Sequence, residues 1–468
     1  MRTWSRAMRK LSLLATVTLL AGCHLAPPNV RPDAPTPDGY SPDYAGDVTI
    51  GARATDIAWR NFFRDPRLDS LIATALTKNR DLAVAVARID EARGLYRIQN
   101  ADRYPTLIGG ADVSRNQISA ANGGPLTTNR ISADVTTAFE LDFWGRVRSL
   151  SDAARANFLA TVEAQRAFRL SLIRSVASTY LEVLEANERI QLAEATVQSR
   201  RDGLRIAKVR LDAGITSALD YRQSESLLTQ AEAELAALRL AKAQRENLLV
   251  VLVGGPVTDA LPSALPLAGQ LSDTTLAAGL PSTLLVARPD IIAAEQQLRA
   301  ANANIGAARA AFFPTISLTG LLGFASSELD NLIGDDGLTW SVGPSITTTI
   351  FNHGRLKGNL AVAEARQNMA IATYQRTIQG AFQEVSDALA GRRYLADQVS
   401  AQERGVAAQR QIAELARVRY REGTVSYLEV LDAERNLFAA EQSLLQLRRI
   451  AAQNLVALYV ALGGGATE

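Results

Sequence analysis

The sequence predicts an α+β fold in which one unit, made of long helices and a strand hairpin, occurs twice. Three observations lead to this prediction. Short motifs recur at a constant offset along the chain. Very long stretches have helical periodicity. Each copy is interrupted once by residues that alternate between apolar and polar. A separate N-terminal segment precedes the first copy.

The first 22 residues have the features of a secretory signal. Four basic residues precede an apolar run from Leu11 to Leu20, and the small residues Ala21 and Gly22 lead directly into Cys23. Because Cys23 is the only cysteine, it resembles the acylated residue of a bacterial lipoprotein rather than a disulfide partner. His24, in place of aspartate, favours the outer membrane. We therefore predict cleavage before Cys23, its lipidation, and anchoring in the outer membrane.

The composition excludes several classes of function. Removal of the signal takes four positive side chains from a net charge of +2, which leaves −2 and no indication of nucleic-acid binding. Two histidines, one cysteine and three methionines are too few for a metal site or a nucleophile–base pair. No later run reaches the ~18 apolar residues of a membrane-spanning helix. We predict no catalytic residue, no metal and no cofactor, and strands as the only means of crossing a membrane.

Short motifs recur at an offset of 209 residues. The pairs are Tyr104-Pro105-Thr106 with Phe313-Pro314-Thr315, Gly145-Arg146 with Gly354-Arg355, and Gly254-Gly255 with Gly463-Gly464. The constant offset indicates a duplication without insertions. The predicted organisation is a signal peptide at 1–22, a lipid-anchored segment at 23–70, repeats at 71–254 and 280–464, a mid-height link at 255–279 and a tail at 465–468.

Each repeat is predicted to begin with a helix and to continue into one strand hairpin. Pro105 and Pro314 end the helices, and the hairpins are expected at about 105–144 and 314–352. Strand neighbours point to opposite sides. We therefore expect one face to meet lipid (Ala133, Val135, Phe139 and Leu141) and the other to meet the lumen (Ser132, Asp134, Thr136 and Glu140). Trp340, Val342, Ile346 and Ile350 have the same alternation in the second repeat.

After each hairpin the chain is predicted to be helical for ~66 residues, or ~100 Å. Tip turns at about 211–217 and 420–426, which contain Gly214 and Gly423, then reverse the chain into a shorter return helix. The lengths suggest that one long helix lies beside two shorter helices stacked end to end. On this interpretation the return helix of each repeat stacks on the first helix of the other repeat.

Four strands per chain leave two open sheet edges, and such edges cannot remain unpaired in hydrocarbon. Bacterial barrels start at about eight strands, so at least two chains must share one barrel. Very long amphipathic helices also need neighbours to cover their apolar sides. The sequence therefore predicts an oligomer.

Several stretches resemble TolC-type outer-membrane efflux factors of the OprM/NodT branch. They are Trp59–Pro66, Glu140–Arg146, Ala308–Leu318, Leu428–Ala433 and Ala461–Gly465. The resemblance implies an α+β membrane protein of TolC-like fold. Three chains would form a 12-stranded β-barrel with four strands per chain, continued by a long periplasmic α-helical barrel. It also implies a passive exit duct, a periplasmic membrane-fusion adaptor and an RND-type inner-membrane transporter as partners.

The resemblance also implies a gate at the periplasmic tips. By motif position it assigns Tyr420 and Asp220 to polar links that hold the tips closed. Val425 occupies a position where some relatives carry a basic residue, so one of those links is expected to be missing or to be replaced, with Arg419 or Arg210 as the candidates.

The same resemblance assigns Glu429 and Asp432 to acidic rings that line the closed aperture. These two residues are three positions apart and therefore share one helix face. Gly214 and Gly423 are expected to form the tip turns and to contact the adaptor.

Other functions stay open at this point. The chain could serve type I secretion, or metal or siderophore export, in place of drug efflux. A periplasmic adaptor would need a single helical hairpin flanked by compact β-domains, and a structural coiled-coil lipoprotein would not need the strand hairpins. An envelope enzyme would need a compact cluster of histidine, cysteine or paired carboxylates.

Overall fold

The computed structural model describes residues 25–46, 50–120, 124–256, 261–270, 275–277, 279, 281–334 and 336–465. The predicted signal peptide and Cys23 lie outside these residues, as do parts of the predicted link at 255–279 and of the tail. The strands are β1 (Thr106–Ala120), β2 (Gly124–Glu140), β3 (Thr315–Ser326) and β4 (Leu338–Thr347).

The helices alternate with the strand hairpins along the chain. Short helices are α1 (Pro42–Ala45), α2 (Trp59–Phe62) and α7 (Leu284–Ala287). Those of intermediate length are α3 (Pro66–Lys78), α4 (Arg80–Ala101) and α8 (Pro289–Ala310), and the longer ones are α5 (Arg146–Asp212), α6 (Ala218–Val253), α9 (Arg355–Arg421) and α10 (Tyr427–Ala461). Helices α5 and α9 have 67 residues each, close to the predicted length. In the described part of the chain, no helix is long and apolar enough to cross a bilayer.

The elements belong to two compact units. Within the described residues, the strand unit comprises 25–33, 88–162 and 293–375, and holds all four strands. The helical unit comprises 34–87, 163–292 and the residues from 376 onward, and it holds both tip turns.

The four strands form one antiparallel sheet in the order β1-β2-β3-β4. Pairing of β2 with β3 joins the two repeats, for example through Val135 opposite Leu322. The register brings apolar residues of all four strands to one face: Leu107, Ala111, Val113, Ile131, Ala133, Val135, Phe139, Leu318, Leu322, Phe324, Trp340, Val342 and Ile346. The opposite face carries Asp112, Ser132, Asp134, Thr136, Glu140, Ser317, Thr319, Ser341 and Ser345.

The predicted alternation is therefore confirmed within the strands, and the ends need correction. Leu141 and Ile350 lie just beyond β2 and β4. The backbone N–H of Leu141 still donates to the Ile316 carbonyl (2.7 Å), after which the chain turns at Gly145 with a φ of 71°. Periodicity alone extends a strand by a residue or more where a turn has already begun.

The helices stack within each repeat. The Asn79 side-chain amide donates to the Leu252 carbonyl (2.8 Å) at the end of α6. Gly254, with a φ of 85°, lies so close to Lys78 that a Cβ would overlap the Lys78 backbone. The return helix α6 thus meets the start of α4, which belongs to the same repeat.

The second repeat makes the same contact 209 residues later. The Arg288 guanidinium donates to the Ala461 carbonyl (3.1 Å), and a Cβ at Gly463 would lie 2.7 Å from the Ala287 carbonyl. The predicted stacking across the repeats was therefore wrong. Helices α4 and α8 have 22 residues each, so helix lengths fit both pairings equally well.

A buried carboxylate connects separate segments of the helical unit. Asp65 is fully buried and caps α3 by accepting from the Arg67 amide (2.9 Å). It also accepts from the Tyr180 hydroxyl (2.7 Å), the Gln270 amide (2.9 Å) and the Leu265 backbone N–H (3.1 Å). Four donors satisfy a charge that would otherwise be costly to bury. The carboxylate therefore connects α3, α5 and the segment that contains Leu265 and Gln270.

Candidate functional site

Two short turns join α5 to α6 and α9 to α10. Gly214 and Gly423 have φ angles of 69° and 73°, a left-handed conformation that favours glycine. In each turn the residue after the glycine donates its N–H to the carbonyl of an arginine, Arg210 (2.9 Å) or Arg419 (3.0 Å). The two turns are thus built in the same way, at the positions that the sequence indicated.

Asp220 caps the start of α6. Its carboxylate accepts from the Thr216 hydroxyl (2.6 Å) and from the Ser217 N–H (3.4 Å), and the Ser217 hydroxyl accepts from the Asp220 N–H (3.2 Å). The hydrogen bond from Thr216 is the main reason that the pKa of Asp220 lies below its ordinary value. Asp220 therefore acts as half of a capping box.

Arg210 connects the two repeats. Its guanidinium donates to the Tyr420 hydroxyl, and the guanidinium carbon lies 5.1 Å from the centre of the Tyr420 ring. It also contributes to the low pKa of Asp220. Among the described contacts, Tyr420 and Asp220 are not bonded directly to each other. The polar link between the tips thus runs through Arg210.

Arg419, the equivalent of Arg210 in the second repeat, bonds within its own tip. Its guanidinium donates to the Glu429 carboxylate at 2.6 Å, and Glu429 is the equivalent of Asp220. The position equivalent to Tyr420 is Leu211, which cannot accept a hydrogen bond. The two tips therefore differ chemically at this position.

The two predicted aperture carboxylates each have an arginine partner. Glu429 is paired with Arg419 (2.6 Å), and Asp432 is paired with Arg435 (3.0 Å). Their side chains are 43% and 47% exposed, so both remain accessible to solvent. Like charges only ~4 Å apart repel by about 1 kcal/mol even in water, and these arginines would offset such repulsion.

Sequence reasoning missed a second connection between the repeats, made by Tyr427. Within its own repeat, Tyr427 has its ring centre 5.0 Å from that of Tyr420 and packs on an apolar cluster (Ala413, Ala416, Val430 and Ala433). Its contact with the first repeat is a side-chain hydrogen bond with Ser224. Burial raises the pKa of Tyr427 to about 12, and the neighbouring Ser224 opposes the shift.

Gly203 provides the space for this contact. It lies inside the long helix α5, where a Cβ would come within 2.7 Å of the Tyr427 hydroxyl. Glycine in a helix interior costs about 0.5–1 kcal/mol relative to alanine. A glycine in a helical pattern therefore marks a position to inspect for a close packing contact. The glycine at position 203 was thus the sequence feature that could have indicated this contact, although it does not identify Tyr427 as the contacting residue.

Comparisons with known proteins agree with this architecture. The family model described as outer membrane efflux protein matches residues 71–255 and 280–464, one match for each repeat. The chain is 42% identical to the cation efflux system protein CusC of Escherichia coli O6:H1, over 97% of this chain and 98% of that protein. It is 43% identical to the solvent efflux pump outer membrane protein SrpC of Pseudomonas putida, over 96% of each.

A solved structure extends the likeness to three dimensions. The open-state MtrE outer membrane channel of Neisseria gonorrhoeae superposes with a TM-score of 0.87 at 37% identity, over 95% of this chain and 99% of that one. Sequence and structure therefore agree along nearly the whole length, and this chain belongs to the outer membrane efflux protein family.

Proposed function

We propose that three copies of this chain form the gated exit duct of a tripartite efflux pump. As a member of its family, the chain is an outer-membrane efflux channel, a passive conduit rather than an enzyme. The proposal adds the homotrimer, the gate at the tip turns, a periplasmic membrane-fusion adaptor and an RND-type inner-membrane transporter. That transporter would supply the energy.

The sheet supports a barrel shared among chains. Strands β1 and β4 each pair on one side only within the chain, and Pro344 in β4 suits such an edge. If β4 pairs with β1 of the next copy, three chains close a ring of twelve strands without unpaired edges. On β2 the apolar face runs from Ile131 to Phe139, about 27 Å along the strand. A strand tilt of about 40° reduces this length to about 21 Å along the membrane normal, close to the height of an apolar band of about 25 Å.

The tip contacts support the position of the gate. Arg210 and Tyr420 belong to different repeats, so their hydrogen bond has to break if the two tips separate. A charge-assisted hydrogen bond contributes about 1.5–3 kcal/mol. A bond of this strength can hold a closed state and can still be replaced by contacts with an adaptor. Gly214 and Gly423 lie at the exposed ends of the tips, where such an adaptor would bind.

Conductance in planar lipid bilayers tests the gate. Trimers with Arg210→Ala and Tyr420→Phe are expected to spend about tenfold more time open, because the closed state loses one charge-assisted bond. Lys208→Ala is the matched control. Lys208 is a neighbouring cation whose partner, Asp212 at 2.7 Å, is on the same helix. Glu429→Ala with Asp432→Ala should reduce the preference for cations. Unchanged conductance and selectivity in all these variants would place the gate elsewhere.

We propose small organic molecules as the cargo. CusC is named for the efflux of cations and SrpC for the efflux of solvents. Their sequence identities to this chain, 42% and 43%, do not distinguish between these two kinds of cargo. Soft metal ions favour thiolate and thioether ligands, whereas the chain after its predicted signal has Met369 as its single methionine. Export assays with an organic dye and with silver ions test this choice, and faster export of silver would contradict it.

A further inference from the structure

Aromatic and basic side chains surround the base of the sheet, where strands and helices join. We call this group the rim: Arg103 and Tyr104 before β1, Phe143, Arg146 and Arg148 after β2, Arg309, Phe312 and Phe313 before β3, and Phe351, Arg355 and Lys357 after β4. All four junctions of the strand unit therefore combine at least one aromatic ring with at least one cation.

The aromatic rings of the rim extend the apolar face of the sheet. Tyr104 is 65% exposed, Phe351 is 82% exposed, and Phe312 and Phe313 are about 40% exposed. Trp144 stacks on Phe313 with ring centres 4.5 Å apart, which keeps two junctions together. Exposed rings at the end of an apolar strand face are typical of the boundary between lipid tails and headgroups.

The basic part of the rim occurs in both repeats. Arg146 and Arg148 correspond to Arg355 and Lys357 at the 209-residue offset. These residues begin α5 and α9, neither of which has an acidic residue in its first turn. Cations in the first turn oppose the helix dipole and cost stability. Helix formation therefore does not explain these residues.

The rim has a surplus of positive charge. Arg146 is neutralised by Glu140 at 2.5 Å, and Asp142 accepts from the Arg148 backbone N–H at 2.7 Å. Arg148, Arg355 and Lys357 are exposed, and none of them has an ion-pair partner among the residues that the structure describes. These three cations, next to exposed rings, form a surface complementary to a layer of negative charge.

We propose that the rim binds anionic phospholipid headgroups in the periplasmic leaflet of the outer membrane. The exposed rings lie at the level of the glycerol groups, and Arg148, Arg355 and Lys357 contact the phosphates. Arginine suits this role because its planar donors match phosphate oxygens. The inference rests on the proposed function, since it needs the apolar face of the sheet to contact lipid.

Fluorescence quenching by brominated lipids tests the proposal in the full-length trimer. Trp144, which stacks on Phe313 of the rim, serves as the reporter. Trp340→Phe removes the exposed tryptophan of β4, and Trp59, which is 2% exposed in the helical unit, can remain. Vesicles of phosphatidylcholine are mixed with brominated phosphatidylglycerol in one series and with brominated phosphatidylcholine in the other. The ratio of the two quenching constants gives the lipid preference.

Wild-type trimers are expected to prefer phosphatidylglycerol at low salt. Because a basic side chain near an anionic surface strengthens attraction about fivefold, Arg148→Gln with Lys357→Gln should lower the preference about tenfold or more. The matched control is Arg88→Gln with Arg366→Gln, two exposed arginines in the strand unit that have no ion-pair partner among the described residues. This control should retain the preference.

Three outcomes would overturn the proposal. These are equal quenching by both lipids in the wild type, an unchanged preference in the rim variant, and an equal loss in the control. If inorganic phosphate abolishes the preference at an ionic strength matched with chloride, the rim is a site for free phosphate and not for lipid. Conductance is recorded in parallel. A rim variant that conducts normally but has lost its lipid preference supports the proposal. Wild-type protein that never conducts contradicts the proposed function, and the quenching ratio then still reports separately on lipid binding.

Discussion

Equivalent residues of the two repeats have different partners at the tips. The duplication places Arg210 and Arg419 at the same point of the same kind of turn, yet Arg419 pairs with Glu429 and Arg210 donates to Tyr420. The difference arises because Asp220 is already occupied by Thr216 and its own helix cap. Because Thr216 donates to Asp220, Arg210 can donate to Tyr420 of the other repeat.

Gly203 offers a test of the second connection at the tips. Gly203→Ala should gain less stability than Gly405→Ala, because a Cβ at Gly203 meets the Tyr427 hydroxyl whereas a Cβ at Gly405 in α9 meets nothing within 4 Å. An unobstructed change from glycine to alanine in a helix stabilises by about 0.5–1 kcal/mol. The measurement is the thermal midpoint of the detergent-solubilised protein.

A double-mutant cycle isolates the contact. Tyr427→Phe removes the hydroxyl that a Cβ at Gly203 would meet, so Gly203→Ala should recover its full gain in that background. Additive effects of the two substitutions would show that Tyr427 and Gly203 do not interact in solution. The same variants can be recorded in bilayers, where a looser Tyr427 should favour the open channel.

At the scale of the elements, the single sheet joins the repeats. Each hairpin contributes two strands, and β2 pairs with β3 over ten residue pairs, so neither repeat has a sheet of its own. The helices behave differently, since α6 ends against α4 of the first repeat and α10 ends against α8 of the second. In the strand unit the two repeats thus share one sheet. In the helical unit each return helix stacks on the first helix of its own repeat.

The two faces of β2 are expected to respond differently to charge. Val135→Arg, on the apolar face, should cost about 2–4 kcal/mol if that face meets lipid near the middle of the membrane. Thr136→Arg, one residue further along and on the polar face, is the matched control and should cost much less. Folding free energies from denaturant titrations in phospholipid vesicles measure both. Equal costs would contradict the lipid-facing assignment.

At the scale of the whole molecule, the chain is built for assembly. Strands β1 and β4 have open edges in the single chain, and exposed apolar residues on all four strands lie on one face. A sheet of this kind is an aggregation hazard in water and a stable element once its edges are paired and its face is covered. Trimerisation and membrane insertion would satisfy both needs together.

Lipidation of Cys23 is a prediction that concerns the complete protein. Cys23→Ser should abolish incorporation of labelled palmitate, because Cys23 is the only cysteine of the chain. The strands do not depend on this residue, so the variant should still form channels when reconstituted. Ser41→Ala, another exchange in the N-terminal segment, serves as the control for labelling. Palmitate labelling that survives the loss of Cys23 would refute the prediction.

Local patterns in the sequence determined much of the architecture. Alternation identified the strands, although it placed Leu141 one residue and Ile350 three residues beyond the ends of β2 and β4. Gly214 and Gly423 marked the tip turns. The 209-residue offset showed the duplication. These features follow from short-range rules: side-chain period, proline and glycine geometry, and the length of uninterrupted helix.

The tertiary structure decided which partners meet. The sequence predicted that α6 stacks on α8 of the other repeat. Helices α4 and α8 have the same length, and the contact of Asn79 with Leu252 shows that α6 stacks on α4 instead. Tyr420 and Asp220 were both assigned to polar links without defined partners, and the structure pairs Tyr420 with Arg210. The structural reason for Gly203 is its close contact with Tyr427, which the sequence does not show. Partner choice depends on distances between residues that are remote in sequence, and periodicity carries no information about such distances.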